Sequence, residues 1–422
     1  MNSYHSLTKH SYKSVRDKVN SMDWSTQPLQ YKSYKNHLKS IVLDFDNDIK
    51  RFLYLIGGIT AKKSYPGVEY FVRSNPSAGA LYPNEIYFQA RKVDGFDDGI
   101  YHIDIEKGEA RLLYCLEEDE GVEYHLEDKR LIDGFIFFVS AVYYRSSWKY
   151  TNRAFRYCLL DGGHILGSLE FNAYLLDKTY TIFYDFDKPL LNQKFGFKRD
   201  EFMISCIVVG VKIKKQSMRF DMKLEYQNPT FIFEPNEMVE NGYKDTLEFI
   251  EKEPEILNPS FDFNKSRLQE SIITRRSIRA FKQKPMSSSE FEKIWSVLTQ
   301  PISNDCDEHI DIYYTIHNVD GISQGLYKNK TLITQANFSQ KSRYLALEQD
   351  IGGQSGVTFY LTSKAKNYQA LYQKAGILGH RLYITSEYLG IGCSGIGAYY
   401  DDEVCEFLKD ETMVLYMVAI GR

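Results

Sequence analysis

The sequence predicts a chain of mixed helices and strands in which one domain occurs twice. The stretch IYFQARKVDGFDDGIY at 86–101 aligns without gaps to IYYTIHNVDGISQGLY at 312–327, and seven of the 16 positions are identical. Later stretches repeat in the same order, and these pairs are 162–169 with 375–382 and 204–211 with 415–422. Repeats of this length are whole domains rather than solenoid units. A duplicated domain often replaces a homodimer, so we expect an intramolecular pseudo-dimer.

The composition is typical of a globular protein with a hydrophobic core. At roughly one domain per 150 residues, a chain of 422 residues should hold two or three domains. Hydrophobic residues make up 43% and charged residues 26%, and the net charge of −4 gives no sign of a nucleic-acid partner. The six cysteines form no C-x-x-C pair, which argues against a zinc site or a disulfide framework and suits a reducing cytoplasm.

The chain shows no targeting or membrane segment. Its first residues, MNSYHSLTKHSYKSVRDK, lack the apolar core of a signal peptide. The longest apolar run, 135–144, is too short to span a bilayer. We therefore expect a cytoplasmic protein with no metal site and no membrane partner.

The first half contains a predicted arm and a first domain. Residues 1–45 are polar and aromatic, and we expect them to wrap the domain that follows, 46–211. Asp46 can cap a helix that Gly57-Gly58 terminates. The remaining patterns predict a strand, a hairpin, a buried strand, a long helix and a last strand, at 86–93, 100–105 with 109–114, 135–144, 152–176 and 204–211.

The second half follows a connection, predicted at 212–262, that is charged and spaced by prolines. The second domain, 263–422, opens with a helix and the segment RRSIRAF at 275–281. Ser287 and Glu290 form a capping-box pattern in front of a helix. The other predicted elements are helices, strands and one glycine-rich loop, at 266–274, 288–298, 312–319, 376–389, 389–398 (the loop) and 414–420.

The most distinctive stretch of the first domain is the turn PSAGALYP at 76–83. Small residues there expose backbone N–H groups without side-chain bulk, so the chain can lie flat against a ligand. An ordinary tight connection before a strand has the same composition.

The second domain carries a cluster of cations, Arg275, Arg276 and Arg279, around the hydroxyl of Ser277. Guanidinium groups present planar forks that suit phosphate oxygens. A surface basic cluster would look the same, and the terminal Arg422 could be a solvated chain end. The glycine-rich loop is weak evidence by itself.

These features are distributed unequally between the halves. The RRSIR segment, the glycine-rich loop and the final arginine occur only in the second half, and the PSAG turn occurs only in the first. Such complementary losses are expected if one composite site was kept and its symmetry mate was lost.

Together, these motifs resemble the nitroreductase family of FMN enzymes. RSNPSAGALYPNEIY and WKYTNRAFRYCLLDGGHIL in the first half are similar to its SagB-type dehydrogenase branch, which includes the azoline and thiazoline dehydrogenases of modified peptides. The resemblance implies an α+β fold of two fused nitroreductase-like sandwich domains. It covers most of both halves, and less well 1–45 and 212–262.

The resemblance also implies which residues hold FMN. The phosphate and ribityl chain would lie against Arg275, Arg276, Ser277, Arg279 and Arg422. The other half would reach the flavin through Pro76, Ser77, Ala78 and Gly79, and Ile396 and Gly397 would bring a backbone N–H to the flavin N5/O4 edge. The chain departs from the family at Ala80, where an asparagine is usual.

Lys149 and Tyr150 match the Lys-Tyr pair of the azoline dehydrogenases. Aromatising an azoline removes a hydride and a proton, and a desolvated lysine beside a phenol can take that proton. Three nearby arginines, Arg145, Arg153 and Arg156, would lower the pKa of the lysine. Alternatively, WKY is a structural helix entry with a snorkelling lysine.

Three functions follow from these observations. The first is an FMN-dependent dehydrogenase that oxidises a small molecule or a peptide heterocycle, although the sequence shows no separate leader-peptide-binding module. The second is an NAD(P)H-dependent reductase of nitro compounds or quinones. The third is a flavin-free scaffold or partner subunit of a modifying complex. Whether two pseudo-dimers pair into a homodimer stays open.

Overall fold

The computed structural model describes residues 3–17, 22–65, 68–126, 128–250 and 257–422. The chain forms two compact units. Unit A consists of Asp23–Pro259 and Pro301–Asp307, and unit B consists of Met1–Met22, Ser260–Gln300 and Glu308–Arg422. The arm predicted at 1–45 is therefore divided between the two units.

Unit A is built on a seven-stranded sheet. The chain begins in unit B with the short helices α1 (Ser3–Leu7) and α2 (Tyr12–Arg16), and then enters unit A. The unit A strands are β1 (Lys39–Val42), β2 (Ile59–Tyr65), β3 (Val68–Arg73), β4 (Asn84–Arg91), β5 (Gly99–Asp104), β6 (Glu109–Cys115), β7 (Arg130–Val142), β8 (Thr181–Phe183) and β9 (Glu201–Gln216). Its helices are α3 (Asp48–Leu55), α4 (Tyr144–Tyr150), α5 (Ala154–Leu175), α6 (Lys188–Lys194) and α7 (Glu237–Lys244).

The sheet of unit A has the order β1-β6-β5-β4-β7-β9-β8 and is antiparallel, while β2 and β3 form a separate hairpin. Tyr87 of β4 lies opposite Phe138 of β7, and both belong to an aromatic core cluster with Phe195. The long helix α5 is buried around nearly its whole circumference, which explains its apolar sequence.

Unit B is built on a six-stranded sheet. Its helices are α8 (Lys265–Thr274), α9 (Ser288–Leu298), α10 (Ser339–Leu345), α11 (Ile351–Gln354), α12 (Tyr368–Leu389) and α13 (Asp401–Leu408). Its strands are β10 (Asp311–Ile316), β11 (Gly325–Lys328), β12 (Thr331–Thr334), β13 (Val357–Ser363), β14 (Gly392–Ile396) and β15 (Met413–Gly421). The sheet order is β12-β11-β10-β13-β15-β14, and all of its pairs are antiparallel.

The two sheets share one strand order. Leaving out β1, the order β6-β5-β4-β7-β9-β8 in unit A is the order β12-β11-β10-β13-β15-β14 in unit B. The aligned 16-residue stretches lie on β4–β5 and β10–β11, and each unit has one 22-residue helix. The mixed helix-and-strand fold with two similar halves is therefore confirmed.

Most predicted elements are present, with ends shifted by a few residues. The capping box of α9 is confirmed, because the Ser287 side chain accepts from the Glu290 N–H and the Glu290 side chain accepts from the Ser287 N–H. The prediction of a loop at 389–398 was wrong, because five of these residues form the edge strand β14, paired with β15. Glycines hid the strand, since they contribute no side chain to a periodic pattern.

The hairpin β2–β3 was not predicted, and the predicted connection at 212–262 contains the end of β9 and the helix α7. Residues 251–256 of that connection lie outside the described residues. In the part of the chain that the structure describes, no helix is both long and apolar enough to cross a membrane.

Candidate active site

The turn at 76–83 in unit A is held by an acidic side chain of α5. The Ser77 hydroxyl donates to Asp161, with 2.5 Å between Oγ and Oδ2, and the Ala78 N–H lies 3.2 Å from each carboxylate oxygen. Ser77 Oγ also accepts from the Tyr82 N–H at 2.9 Å. The Ser77 side chain, predicted as a flavin contact, therefore fixes the shape of the turn.

Asp161 was missed by sequence reasoning. Its signal was a lone acidic residue inside the apolar stretch YCLLDGGHIL of a predicted helix. The side chain is buried, and this desolvation raises the pKa of Asp161 to about 7, although hydrogen bonds from Ser77 and Ala78 oppose the rise. A buried carboxyl that titrates near neutrality thus lies beneath the turn.

The turn brings Gly79 against both predicted catalytic residues. Gly79 has a φ of +63°, a conformation that favours glycine. A Cβ at this position would lie 2.6 Å from the Tyr150 hydroxyl and 3.2 Å from the Lys149 Nζ. Gly79, Lys149 and Tyr150 therefore lie close together and form one cluster.

The environment of this cluster is aromatic. Lys149 and Tyr150 end α4, and both are half-buried. The Lys149 Nζ lies 5.9 Å from the ring centroid of Trp24 and 5.7 Å from that of Tyr150, whose ring is 4.3 Å from Tyr157. Burial raises the pKa of Tyr150, and the nearby Tyr157 and Asp161 raise it further. The Tyr150 phenol is therefore a hydrogen-bond donor at neutral pH.

The other end of α4 is anchored by a buried ion pair. Arg145 Nη1 lies 2.6 Å from Glu85 Oε1 and donates to the Tyr82 carbonyl oxygen at 3.1 Å. Although burial opposes it, the charge of Arg145 and the hydrogen bond from His102 lower the pKa of Glu85 to about 2. The charge of Arg145 is thus balanced by Glu85, so its expected effect on Lys149 is reduced. Arg153 and Arg156 are also buried.

In unit B, the cation segment after α8 is fastened to the edge strand β14. The Ile278 N–H donates to the Cys393 carbonyl oxygen at 3.1 Å. A Cβ on Gly392 would lie 2.3 Å from Ile278 Cδ1, so this glycine permits the close packing of the segment on β14. The cation segment therefore lies along β14, the strand that was predicted from the sequence to be a glycine-rich loop.

A buried tyrosine of α12 links the segment to β14. The Tyr383 hydroxyl lies 2.9 Å from Ser277 Oγ and accepts from the Gly395 N–H at 2.6 Å, while the Arg275 guanidinium is 5.3 Å from its ring centroid. Burial raises the pKa of Tyr383 to about 12. Sequence reasoning missed this residue, because nothing distinguishes it among 33 tyrosines.

The predicted cations differ in exposure and pairing. Arg275 is buried, whereas Ser277 and Arg279 are exposed. The Arg276 guanidinium donates to the Ile273 and Arg275 carbonyl oxygens at 3.0 and 2.5 Å, which satisfies the end of α8. Within the described ranges, the Arg279 side chain forms no hydrogen bond or ion pair. Its guanidinium is therefore available to an anion.

The last predicted positions lie on β14 and at the chain end. Ile396 is the last residue of β14, opposite Met417, and its side chain is buried; Gly397 follows, partly exposed. Arg422 forms an ion pair with Glu290. Arg422 is thus engaged with α9 in addition to any role towards a ligand.

The two sets of residues offer different chemistry. The unit B set presents guanidinium groups and a hydroxyl, which suit an anion such as phosphate. The unit A set presents an amine and a phenol, which suit proton transfer. Among the residues described, no group of three or more His, Cys, Asp or Glu side chains could hold a metal ion.

Comparison with known proteins agrees with this description. Residues 272–422 match the model of the nitroreductase family. A candidate nitroreductase of Methanocaldococcus jannaschii, MJ1384, is 27% identical over 186 residues, covering 38% of this chain and 93% of the relative. A crystal structure of a candidate nitroreductase from Anabaena variabilis ATCC 29413 is 24% identical, covers 99% of this chain and 98% of its own, and has a TM-score of 0.82.

The fold is therefore that of a nitroreductase along nearly the whole chain. The segment 272–422, which carries the cation cluster and β14, matches in addition the sequence model of the nitroreductase family.

Proposed function

We propose that the protein is an FMN-dependent oxidoreductase of the SagB type, which removes a hydride and a proton from a small molecule or a peptide heterocycle. The observation that carries this proposal is the convergence of Lys149 and Tyr150 on Gly79. In an enzyme with the nitroreductase fold, a bound flavin is sufficient to accept the hydride. A dehydrogenase also needs a group that takes the proton, and this cluster offers one.

The residues of unit B fit FMN. Ser277 and Arg279 are exposed two positions apart, and Arg275, two positions before Ser277, is buried. Guanidinium groups bind phosphate through charge-assisted hydrogen bonds. Bound FMN would supply a two-electron acceptor for the hydride.

The residues of unit A have distinct roles in the proposed reaction. The Lys149 amine takes the proton that leaves the substrate carbon. The Tyr150 phenol, which burial keeps protonated, donates a hydrogen bond that orients the substrate. Asp161 holds the turn through Ser77 and Ala78, so that Gly79 leaves room for both groups.

We further propose that each chain binds one FMN. The support lies in the sequence, because the cations Arg275, Arg279 and Arg422 occur only in the second half. The PSAG turn, whose residues Pro76, Ser77, Ala78 and Gly79 are the proposed flavin contacts of the first half, has no counterpart in the second. If a single flavin uses both sets of residues, each half needs to keep only one set, which would explain their unequal distribution.

The first experiment is to purify the protein, record its visible spectrum and quantify FMN per chain. A yellow protein with close to one FMN per chain is expected. Two tightly bound flavins per chain would contradict the single site. A colourless protein that added FMN cannot reconstitute would contradict the flavin and favour the scaffold function.

A second measurement separates the dehydrogenase from the reductase. Under anaerobic conditions, a thiazoline substrate should bleach the bound flavin, since it donates the hydride. Rapid bleaching by NAD(P)H, with none by thiazolines, would favour the nitro or quinone reductase instead.

A further inference from the structure

The last strand of unit B ends beside the cation segment that follows α8. Gly421, the last residue of β15, pairs with Gly392 of β14. The cation segment covers this glycine pair, because a Cβ on Gly421 would lie 3.0 Å from Phe281 Cδ1 and a Cβ on Gly392 would meet the Ile278 side chain. Arg422 therefore leaves the sheet at the place where the cation segment packs on it.

The Arg422 side chain is held by Glu290 of α9. Its Nη2 group forms an ion pair with Glu290 Oε1, and no other carboxylate among the described residues pairs with it. The pair is partly exposed, with relative exposures of 35% for the Arg422 side chain and 18% for that of Glu290. Ion pairs near the surface contribute little to folding stability. The consequence of this pair is instead a restricted position of the guanidinium.

Glu290 is itself fixed by the capping box of α9. Its Oε2 accepts from the Ser287 N–H at 2.8 Å, and its own N–H donates to Ser287 Oγ at 3.2 Å. Although partial burial opposes it, the hydrogen bond from the Ser287 N–H and the charge of Arg422 lower the pKa of Glu290, so the carboxylate is charged at neutral pH. One oxygen thus holds the start of the helix while the other holds the arginine.

A restricted guanidinium binds an anion at a lower entropic cost than a free one. An arginine side chain has many rotamers, and ordering it on binding reduces the affinity. The guanidinium has five N–H donors, and Glu290 contacts it at Nη2. The donors that Glu290 does not use stay available to phosphate oxygens.

We infer that Glu290 is a positioning residue for the FMN phosphate, because it holds Arg422 in the orientation that the phosphate requires. The inference rests on the proposed function, since it adds a residue to the phosphate end of the proposed flavin site. Glu290 acts through Arg422 and does not itself contact the phosphate. The sequence predicted Glu290 only as part of a capping box, whereas the structure joins it to a residue 132 positions away.

The test compares the affinities of the protein, freed of flavin, for FMN and for riboflavin, which lacks the phosphate. Flavin fluorescence measures both. Glu290→Gln keeps the capping box, since glutamine also serves at this position, but removes the charge that holds Arg422. It should weaken FMN binding about fivefold and leave riboflavin binding unchanged. The matched control, Glu292→Gln, removes the ion pair with Lys330 from the same helix and should bind both flavins as the wild type does.

A double-variant cycle separates positioning from a direct effect of the carboxylate. Arg422→Ala should weaken FMN binding, and adding Glu290→Gln should cause no further loss, because no guanidinium is left to position. If the two losses add, Glu290 acts without Arg422 and the inference is overturned.

Three further results would contradict the inference. Tighter FMN binding by Glu290→Gln would mean that the carboxylate repels the phosphate. Unchanged FMN binding, or equal weakening of FMN and riboflavin, would limit Glu290 to the fold of α9. Circular dichroism identifies an unfolded Glu290→Gln variant, and Glu290→Asp, which is too short to reach both partners, then decides by the same comparison.

The outcomes for the inference and for the proposed function are distinct. A wild type that binds neither flavin contradicts both. If thiazolines bleach the flavin but Glu290→Gln binds FMN as the wild type does, the function stands and the inference fails. If Glu290→Gln weakens FMN binding selectively but thiazolines do not bleach the flavin, the positioning role stands and the dehydrogenase fails.

Discussion

The two sheets share a strand order, yet the connection after β7 differs from the connection after β13. In unit A, β7 is followed by the seven-residue helix α4 and then by α5. In unit B, β13 leads to α12 through only Lys364–Asn367. The extra helix carries Lys149 and Tyr150, so the candidate proton-transfer groups lie on an element that unit B lacks. The two units thus differ at this connection although their sheets share one strand order.

The long helices show a second contrast. Asp161 precedes the stretch 162–169 in α5, and the aligned position in α12 is Lys374. Asp161 accepts hydrogen bonds from the turn, whereas Lys374 donates to the Glu308 carbonyl oxygen at 2.6 Å. Tyr383 of α12 aligns with Glu170 of α5, which accepts from the Tyr180 hydroxyl. The same helix therefore supports a different neighbouring segment in each unit.

The largest expected effect is at Arg279. Arg279→Glu replaces an unpaired guanidinium with a carboxylate, which would repel the FMN phosphate. The loss of one charge-assisted hydrogen bond costs about 2 kcal/mol, roughly 30-fold in affinity, and repulsion adds to it. The purified variant should be colourless. Val211→Ala in unit A, at the position aligned with Arg422, should keep the flavin. If both variants lose FMN equally, the cations of unit B are not specific for the flavin, which contradicts the proposed difference between the units.

The next effect is on turnover. Lys149→Ala should keep FMN but abolish anaerobic bleaching of the flavin by a thiazoline, because the proton acceptor is missing. The visible spectrum of the purified variant checks flavin retention, and stopped-flow absorbance checks bleaching. Loss of FMN, with turnover restored by added flavin, would make Lys149 structural and remove the functional contrast at α4.

A smaller effect concerns the pH dependence of stability. The pKa of Asp161 is raised from 3.8 to about 7 by burial, so between these values the folded protein keeps a proton that the unfolded chain has lost. The contribution of Asp161 to the free energy of unfolding therefore falls as pH rises from about 4 to about 7. Asp161→Asn cannot titrate, so its stability relative to the wild type should increase over that range.

Urea unfolding at pH 5 and pH 8 measures this trend. The matched control is Asp94→Asn, an exposed carboxylate in a turn, which should change stability by the same small amount at both pH values. If the difference in free energy of unfolding between the wild type and Asp161→Asn is the same at both pH values, folding does not raise the pKa of the Asp161 carboxyl.

The smallest effect is expected at Tyr383. Tyr383→Phe removes a hydroxyl that joins Ser277 to the Gly395 N–H, and the loss of such buried bonds costs about 1–3 kcal/mol. Urea unfolding should show this loss, and FMN affinity should weaken only a few-fold, since the cations remain. If the variant is less stable but binds FMN with unchanged affinity, Tyr383 stabilises the fold of unit B and does not contribute to FMN binding.

Many elements of both units could be predicted from the sequence, because their signals are local or periodic. The Ser287 capping box spans four residues, and the long helices and central strands are marked by runs of apolar residues. The internal repeat also predicted that the two halves would be alike. The positions of the cations and of the Lys-Tyr pair were found through motifs, which are local as well.

Contacts between distant segments were decided only by the tertiary structure. Ser77 and Asp161 are 84 residues apart, and Ser277 and Tyr383 are 106 apart, so no short-range pattern pairs them. The pairing of β14 with β15, which turned a predicted loop into an edge strand, likewise depends on a neighbouring backbone. The sequence alone predicted the candidate site residues and the likeness of the two halves. Packing alone decided which of those residues meet, because burial and hydrogen bonding depend on the surfaces that folding brings together.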